Sequence, residues 1–134
     1  MGATALTGET IVLALIVDDS RAMRSIVGRI VREIGFETVE AANGLEGLEQ
    51  LQSHREVDLI LVDWNMPVMN GIEFLHAMRA QPGSSGFKVL MVTTASDLAH
   101  IGLAIEAGAN EYLIKPFTKD AMISKLQMLG MLES

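Results

Sequence analysis

Short apolar runs alternate along the chain with segments in which apolar residues recur every three or four positions. The clearest runs cover residues 11–17, 57–62 and 89–92, and shorter strand-like segments cover 36–41 and 112–114. Continuous apolar runs of this length are typical of strands that are buried on both faces. The pattern therefore predicts five strands.

Helical spacing follows each of these strands. In the clearest helix, Ser20 is a suitable N-cap, apolar residues repeat from Met23 to Ile34, and Gly35 is suited to end the helix. Further helices are predicted around residues 45–51, 71–79, 98–108 and 122–129. Five strands that alternate with five helices predict an α/β fold, a doubly wound parallel sheet with helices on both faces.

Composition and charge exclude several classes of function. The chain has 134 residues, enough for one domain, and 10 basic against 17 acidic residues give a net charge of −7. The basic residues form no stripe, so we expect no direct nucleic-acid binding. The longest apolar run is too short to span a bilayer, and the first residues lack the features of a secretory signal. Together with the absence of cysteine, this predicts a soluble, cytoplasmic protein without membrane insertion.

Acidic residues follow two of the predicted strands. Asp18 and Asp19 come after the first strand, and Asp63 ends the third. Because the carboxyl ends of parallel strands meet at one edge of a sheet, these carboxylates should converge in a crevice. Their mutual repulsion favours a bound cation, and Mg²⁺ prefers such hard oxygen ligands. Thr93 and Lys115, which end the last two strands, would complete a site for a phosphoryl group.

Five motifs in order carry a resemblance to a known family. They are Asp18-Asp19, Asp63 followed by Trp64-Asn65-Met66-Pro67, Met69-Asn70-Gly71, Thr93, and Lys115-Pro116-Phe117. With them, residues 10–130 resemble the receiver domain of bacterial response regulators, in particular the stand-alone chemotaxis type. Residues 1–9 would be an N-terminal extension and residues 131–134 a short tail. The resemblance implies a flavodoxin-like (βα)5 fold with strand order 2-1-3-4-5 and a cis peptide bond between Lys115 and Pro116.

The resemblance also implies roles for single residues. Asp63 would be the phosphoacceptor, and the donor would be a phosphohistidine on a sensor histidine kinase or a phosphotransfer protein. Asp18, Asp19, Asp63 and the backbone carbonyl of Asn65 would hold Mg²⁺, with Mn²⁺ as an alternative, Asp18 acting through a coordinated water.

A switch and an output surface are implied as well. Lys115 and Thr93 would bind the phosphoryl oxygens, and Tyr112 would move inward with Thr93. A downstream protein target would bind the face formed by the fourth helix, the fifth strand and the fifth helix.

Two positions depart from the family pattern. Thr94 stands where the family usually has Ala or Gly, and Ala95 stands where the chemotaxis type has an acidic residue. Together with Asn65, these residues are expected to govern access to Asp63 and the lifetime of its phosphoryl group.

The resemblance favours a single-domain response regulator of a two-component or chemotaxis-type phosphorelay, a signalling switch rather than an enzyme. A phosphate-shuttle or sink receiver is an alternative. An aspartyl-phosphate phosphatase is disfavoured because Asn65 occupies the place of its second aspartate. A flavin carrier is disfavoured because acidic residues follow the first strand, where a phosphate-binding loop would be needed. The sequence names neither the cognate kinase nor the downstream target.

Overall fold

Five strands alternate with five helices along the chain. The computed structural model describes residues 11–133, so the predicted extension 1–9 lies outside the described residues. The strands are β1 (Leu13–Val17), β2 (Glu37–Ala41), β3 (Val57–Asp63), β4 (Lys88–Thr94) and β5 (Glu111–Lys115). The helices are α1 (Arg21–Ile34), α2 (Gly44–Ser53), α3 (Gly71–Arg79), α4 (Ile101–Ala107) and α5 (Lys119–Met128). Short 3-10 turns at Ser84–Gly86 and Ala95–His100 flank β4.

The strands form one parallel sheet in the order β2-β1-β3-β4-β5, which confirms the predicted fold and order. The register pairs Val17 with Val62 and Asp63 with Val92. The residues that directly follow β1 therefore lie beside the end of β3. Within residues 11–133, no helix combines the length and apolar character needed to cross a membrane.

Side-chain caps define where the helices begin. The Ser20 hydroxyl accepts a hydrogen bond from the Met23 N–H at 3.2 Å, as predicted. Gly35 ends the same helix with φ 113°, a conformation that glycine adopts without a steric penalty. The Asn43 side chain caps α2 by accepting a hydrogen bond from Glu46 N–H. Side-chain caps thus stabilise the starts of α1, α2, α3 and α5, whereas α4 has none among the described residues.

The sheet has a separate apolar core on each face. Side chains of α1 and α5 cover one face, and side chains of α2, α3 and α4 cover the other. The fourth predicted helix, around residues 98–108, begins later than expected, because residues 95–100 form a 3-10 turn and α4 begins at Ile101. Ala104 and Ala107 of α4 are buried, whereas Ile105 is 45% exposed.

Arg79 ties together three segments at the edge of the sheet opposite the acidic residues. Its guanidinium donates to the carbonyl oxygens of Gly108 at 2.8 Å and Phe87 at 3.0 Å, to Asn110 Oδ1 at 3.1 Å, and to the Ser84 carbonyl. Gly108 has φ 119°, and a Cβ there would lie 2.8 Å from the Arg79 side chain. The end of α3 is thereby fixed to the segments that precede β4 and β5.

We expect Arg79→Met to lower the free energy of unfolding by about 2–3 kcal/mol, because carbonyl groups around a charged donor lose their partner. Urea unfolding at pH 7 measures the change. The matched control is Arg29→Met in α1, since Arg29 is exposed and shows no side-chain hydrogen bond in the described part of the chain. Its effect should stay within about 0.5 kcal/mol. Equal effects of the two substitutions would contradict the role of Arg79.

Candidate functional site

Three carboxylates meet at the carboxyl edge of the sheet. One oxygen each from Asp18, Asp19 and Asp63 lies within 4.8 Å of the others. Asp18 and Asp63 are only 4% and 8% exposed, whereas Asp19 faces solvent. The register of β1 with β3 produces this arrangement, because Val17 pairs with Val62, the residue before Asp63.

Asp18 is held by four hydrogen bonds. Its N–H donates to the Ala41 carbonyl at 3.1 Å, and its Oδ1 accepts from Ser20 N–H at 2.8 Å. Arg24 donates from Nη1 to the Asp18 carbonyl at 2.7 Å and pairs through Nε with Glu40 at 3.0 Å. Lys115 supplies the fourth bond, to Asp18 Oδ2. The sequence analysis missed Arg24, because nothing in its local spacing distinguishes it from the other arginines of α1.

Lys115 lies between the two buried carboxylates. Its Nζ is 3.1 Å from Asp63 Oδ1 and 3.4 Å from Asp18 Oδ2. Burial would lower the pKa of Lys115, but Asp63 and Asp18 together raise it above its usual value. Lys115 therefore stays charged and acts as a fixed cation in the crevice.

The pKa of Asp63 is raised despite this ion pair. Burial is the largest cause, the charge of Asp18 adds to it, and the attraction of Lys115 does not offset the two. Asp19 raises the pKa slightly further. The crevice thus holds more negative charge than Lys115 neutralises, and its hard oxygen donors fit a divalent cation such as Mg²⁺.

The segment after Asp63 is fixed by backbone contacts. The Trp64 N–H donates to the Val92 carbonyl at 2.9 Å, and the Gly71 N–H donates to the Trp64 carbonyl at 3.1 Å. A Cβ at Gly71 would lie 2.7 Å from the Asp63 carbonyl oxygen. Glycine is therefore needed where α3 begins against the strand end.

The two threonines at the end of β4 have different surroundings. Thr93 is 2% exposed, and its hydroxyl donates to the Thr94 carbonyl at 3.4 Å, a long hydrogen bond. The Thr94 hydroxyl donates to Asp97 Oδ2 at 3.0 Å and lies 3.0 Å from Ser96 Oγ. Thr94 is therefore engaged with its own turn, whereas the Thr93 hydroxyl is weakly held.

Comparison with known proteins identifies the family. Residues 14–127 match the model of the response regulator receiver domain. The chain belongs to this family. The receiver is 36% identical over 116 residues to chemotaxis protein CheY1 of Helicobacter pylori, a match that covers 86% of this chain and 94% of that protein. It is 38% identical over 114 residues to the chemotaxis protein CheY homolog of Campylobacter jejuni, covering 84% and 88% of the two chains.

Solved structures agree with this assignment. The structure of the chemotaxis response regulator CheY4 of Vibrio cholerae superposes with a TM-score of 0.82 at 36% identity, covering 90% of this chain and 99% of that chain. Family membership and fold thus confirm the resemblance that the sequence motifs carried. The roles of single residues remain predictions, for which the receiver's geometry supplies support.

The structure brings together four of the predicted site residues, Asp18, Asp19, Asp63 and Lys115. Asn65 is exposed in the adjoining loop, and Ala95 is exposed at the start of its 3-10 turn. Among the described residues, no hydrogen bond joins Thr93 to Asp63 or Lys115. The receiver therefore has its acidic residues and lysine assembled, while the predicted switch threonine is not engaged with them.

Tyr112 is held by two neighbours that the sequence analysis missed. The ammonium of Lys125 lies 4.3 Å from the centre of its ring and pairs with Glu111 Oε1 at 2.8 Å. Burial on its own would raise the pKa of Glu111, but the hydrogen bonds from Lys125 and from Tyr112 N–H, with the Lys125 charge, lower it overall. Tyr112 and Lys125 border a surface cleft of about 390 Å³. The predicted switch tyrosine thus lies beneath an ion pair.

We expect Asp63→Asn to raise the free energy of unfolding of the metal-free protein at pH 7 by about 1 kcal/mol, a usual scale for a stabilising substitution. Because the pKa of Asp63 is raised in the fold, the folded state binds more protons than the unfolded state between the two pKa values. The ionised carboxylate therefore costs stability as the pH rises through this window. The gain from Asn should shrink as the pH falls toward the ordinary aspartate pKa of about 4.

Urea unfolding in EDTA at several pH values measures this dependence. Glu49→Gln is the control, because Glu49 is exposed on α2 and the described part of the chain gives it no ion pair. Its effect should be small at every pH. A gain from Asp63→Asn that is the same at pH 4 and pH 7, or a loss of stability at pH 7, would refute the electrostatic explanation.

Proposed function

We propose that this chain is a single-domain response regulator of a chemotaxis-type phosphorelay, in which Asp63 accepts a phosphoryl group from a phosphohistidine on a partner kinase or phosphotransfer protein. One observation carries the proposal. In a receiver-family chain, the buried Asp63 lies 3.1 Å from the ammonium of Lys115, within a cluster of three carboxylates. The similarity to chemotaxis proteins supports the choice of pathway class.

The transfer step is a displacement at phosphorus. A carboxylate oxygen of Asp63 forms the new P–O bond, the P–N bond of the phosphohistidine breaks, and its electron pair returns to the imidazole nitrogen. Lys115 turns its ammonium from the carboxylates toward an oxygen of the transferred group, whose negative charge it stabilises. Asp63 is oriented for this by the backbone contacts of Trp64 and Gly71.

A divalent cation completes the site in this proposal. Asp18, Asp19, Asp63 and the Asn65 carbonyl would hold Mg²⁺, or Mn²⁺ in its place, which when bound neutralises charge on the phosphoryl oxygens. The cluster of three carboxylates beside a single lysine supports this assignment.

Phosphorylation would be transmitted through Thr93. Its hydroxyl makes one long hydrogen bond, 3.4 Å to the Thr94 carbonyl, which it could exchange for a hydrogen bond to a phosphoryl oxygen. A shift of Thr93 would alter the packing of Tyr112 and the face formed by Leu98–Ala107, Glu111–Ile114 and Lys119–Leu129, to which a downstream protein would bind. Such a response is a population shift between two packings.

The protein would then act as a switch, with at most its own phosphotransfer and autodephosphorylation activity. Thr94, which is tied to Asp97, and Ala95 would set access and lifetime together with Asn65.

Phosphotransfer tests the acceptor. Incubation with acetyl phosphate or a phosphorylated histidine kinase should label Asp63 in the presence of Mg²⁺ and not in EDTA. Asp63→Asn should reduce the initial rate at least about 100-fold, because an amide is a much weaker nucleophile than a carboxylate. Mass spectrometry locates the acid-labile label.

Asp58→Asn is the matched control, since Asp58 lies on the same strand as Asp63 but at its opposite end, where its Oδ2 accepts a long hydrogen bond from Leu13 N–H. It should be labelled at the wild-type rate. Normal labelling of the Asp63→Asn protein, or labelling of the wild type in EDTA, would refute the assignment.

Beryllofluoride, which mimics a phosphoryl group on a carboxylate, tests the output face. On addition of beryllofluoride, NMR chemical shifts should change in the loops that follow β1, β3 and β5, the site loops. They should also change across Leu98–Ala107, Glu111–Ile114 and Lys119–Leu129. Thr93→Ala should confine the shifts to the site loops, because the hydroxyl that transmits the change is gone. Thr93→Ser retains the hydroxyl and should behave as the wild type. Wild-type shifts that stop at the site loops would contradict the proposed output.

A further inference from the structure

A stacked pair of aromatic rings connects the candidate phosphoacceptor to the start of α4. The rings of Trp64 and His100 have centroids 5.4 Å apart and planes inclined by 11°. Trp64 directly follows Asp63, and His100 is the last residue of the 3-10 turn that leads into α4. His100 is exposed, but one face of its ring is covered by Trp64.

The two sides of this contact are anchored differently. Trp64 is fixed by its backbone, through the 2.9 Å hydrogen bond to the Val92 carbonyl and the 3.1 Å hydrogen bond from Gly71 N–H. The 3-10 turn has its own internal hydrogen bond, from the Thr94 hydroxyl to Asp97 at 3.0 Å, which joins the turn to β4. The backbone of Trp64 is thus tied to Val92 of β4 and to the start of α3, whereas the turn is tied to Thr94, two residues further along β4.

We propose that the Trp64–His100 stack is a clasp that holds the turn in its resting arrangement and so sets the balance between the resting and phosphorylated packings. This inference rests on the proposed function, because it assumes that Thr93 shifts toward a phosphoryl group on Asp63. Thr94 follows Thr93 and is bonded to Asp97 within the turn, so a shift of Thr93 would move the turn, and His100 with it, relative to the Trp64 indole. A contact that is made in one packing and lost in the other opposes the change. His100 is thus a positioning residue that acts through Trp64.

Removal of the imidazole ring tests the clasp. His100→Ala should bind beryllofluoride, in the presence of Mg²⁺, about two- to tenfold more tightly than the wild type, the range that corresponds to the energy of one aromatic pair. Isothermal calorimetry measures the affinity. Labelling by acetyl phosphate should accelerate by a similar factor, since more of the protein is in the competent packing.

Two further variants separate the stack from other roles of His100. His100→Phe keeps a ring that can stack on Trp64 and should retain the wild-type affinity. His76→Ala removes an exposed histidine of α3 that has no contact with the site and should also leave the affinity unchanged. If urea titrations show that the His100→Ala protein is unfolded, beryllofluoride affinity is measured on His100→Gln instead. This variant removes the ring, keeps a polar side chain, and has the same expected result.

Trp64 fluorescence gives a readout that a purely structural role would not move. Trp64 is the chain's single tryptophan, so its emission reports the stack directly. Beryllofluoride should change the emission of the wild type, and the free His100→Ala protein should already show emission shifted in the same direction.

The outcomes distinguish this inference from the function on which it rests. If wild-type protein is labelled on Asp63 but His100→Ala binds beryllofluoride no more tightly than the wild type, the clasp is refuted and the proposed function stands. The same holds if His100→Phe behaves like His100→Ala. If the wild type takes up neither label nor beryllofluoride, the proposed function fails and the clasp fails with it.

Discussion

The ion pair that Lys115 makes with Asp18 and Asp63 is the interaction on which the rest of the site depends. Two buried carboxylates beside each other are unfavourable, and the lysine ammonium at 3.4 and 3.1 Å offsets part of their repulsion. Burial of Asp63 and the charges of Asp18 and Asp19 outweigh the attraction of Lys115, so the pKa of Asp63 is raised. The ion pairs with Lys115 therefore reduce the cost of burying the carboxylates, and a further cation bound in the crevice would lower the free energy of the site.

This charge arrangement persists because the surrounding backbone does not let the carboxylates separate. The parallel register places the end of β1 beside the end of β3, and Arg24 holds the Asp18 carbonyl. Gly71 lets the start of α3 lie so close to the strand end that a Cβ there would be only 2.7 Å from the Asp63 carbonyl oxygen. A site held in this way has its donors in place before a ligand arrives, so little free energy is lost to ordering them.

The sequence predicted what local patterns encode. Strand and helix positions follow from apolar periodicity, and convergence of Asp18 with Asp63 follows from parallel topology. It could not predict contacts between residues distant in the chain, such as those of Arg79, the Lys125–Tyr112 pair or the Trp64–His100 stack. The fourth helix begins later than its pattern predicted, because a 3-10 turn precedes it. Val68 was equally unforeseeable, since it has φ 70° and a β-branched residue is rarely found there.

The contacts that sequence patterns missed are those best suited to control a switch. The apolar side chains of the two cores are largely buried, whereas the side chains of the Trp64–His100 stack and the Lys125–Tyr112 contact are at least partly exposed. Each of these two contacts is worth about 1 kcal/mol, and allosteric couplings are typically about 1–3 kcal/mol. A single contact of this size, if it is formed in one packing and not in the other, is therefore large enough to shift the balance between them.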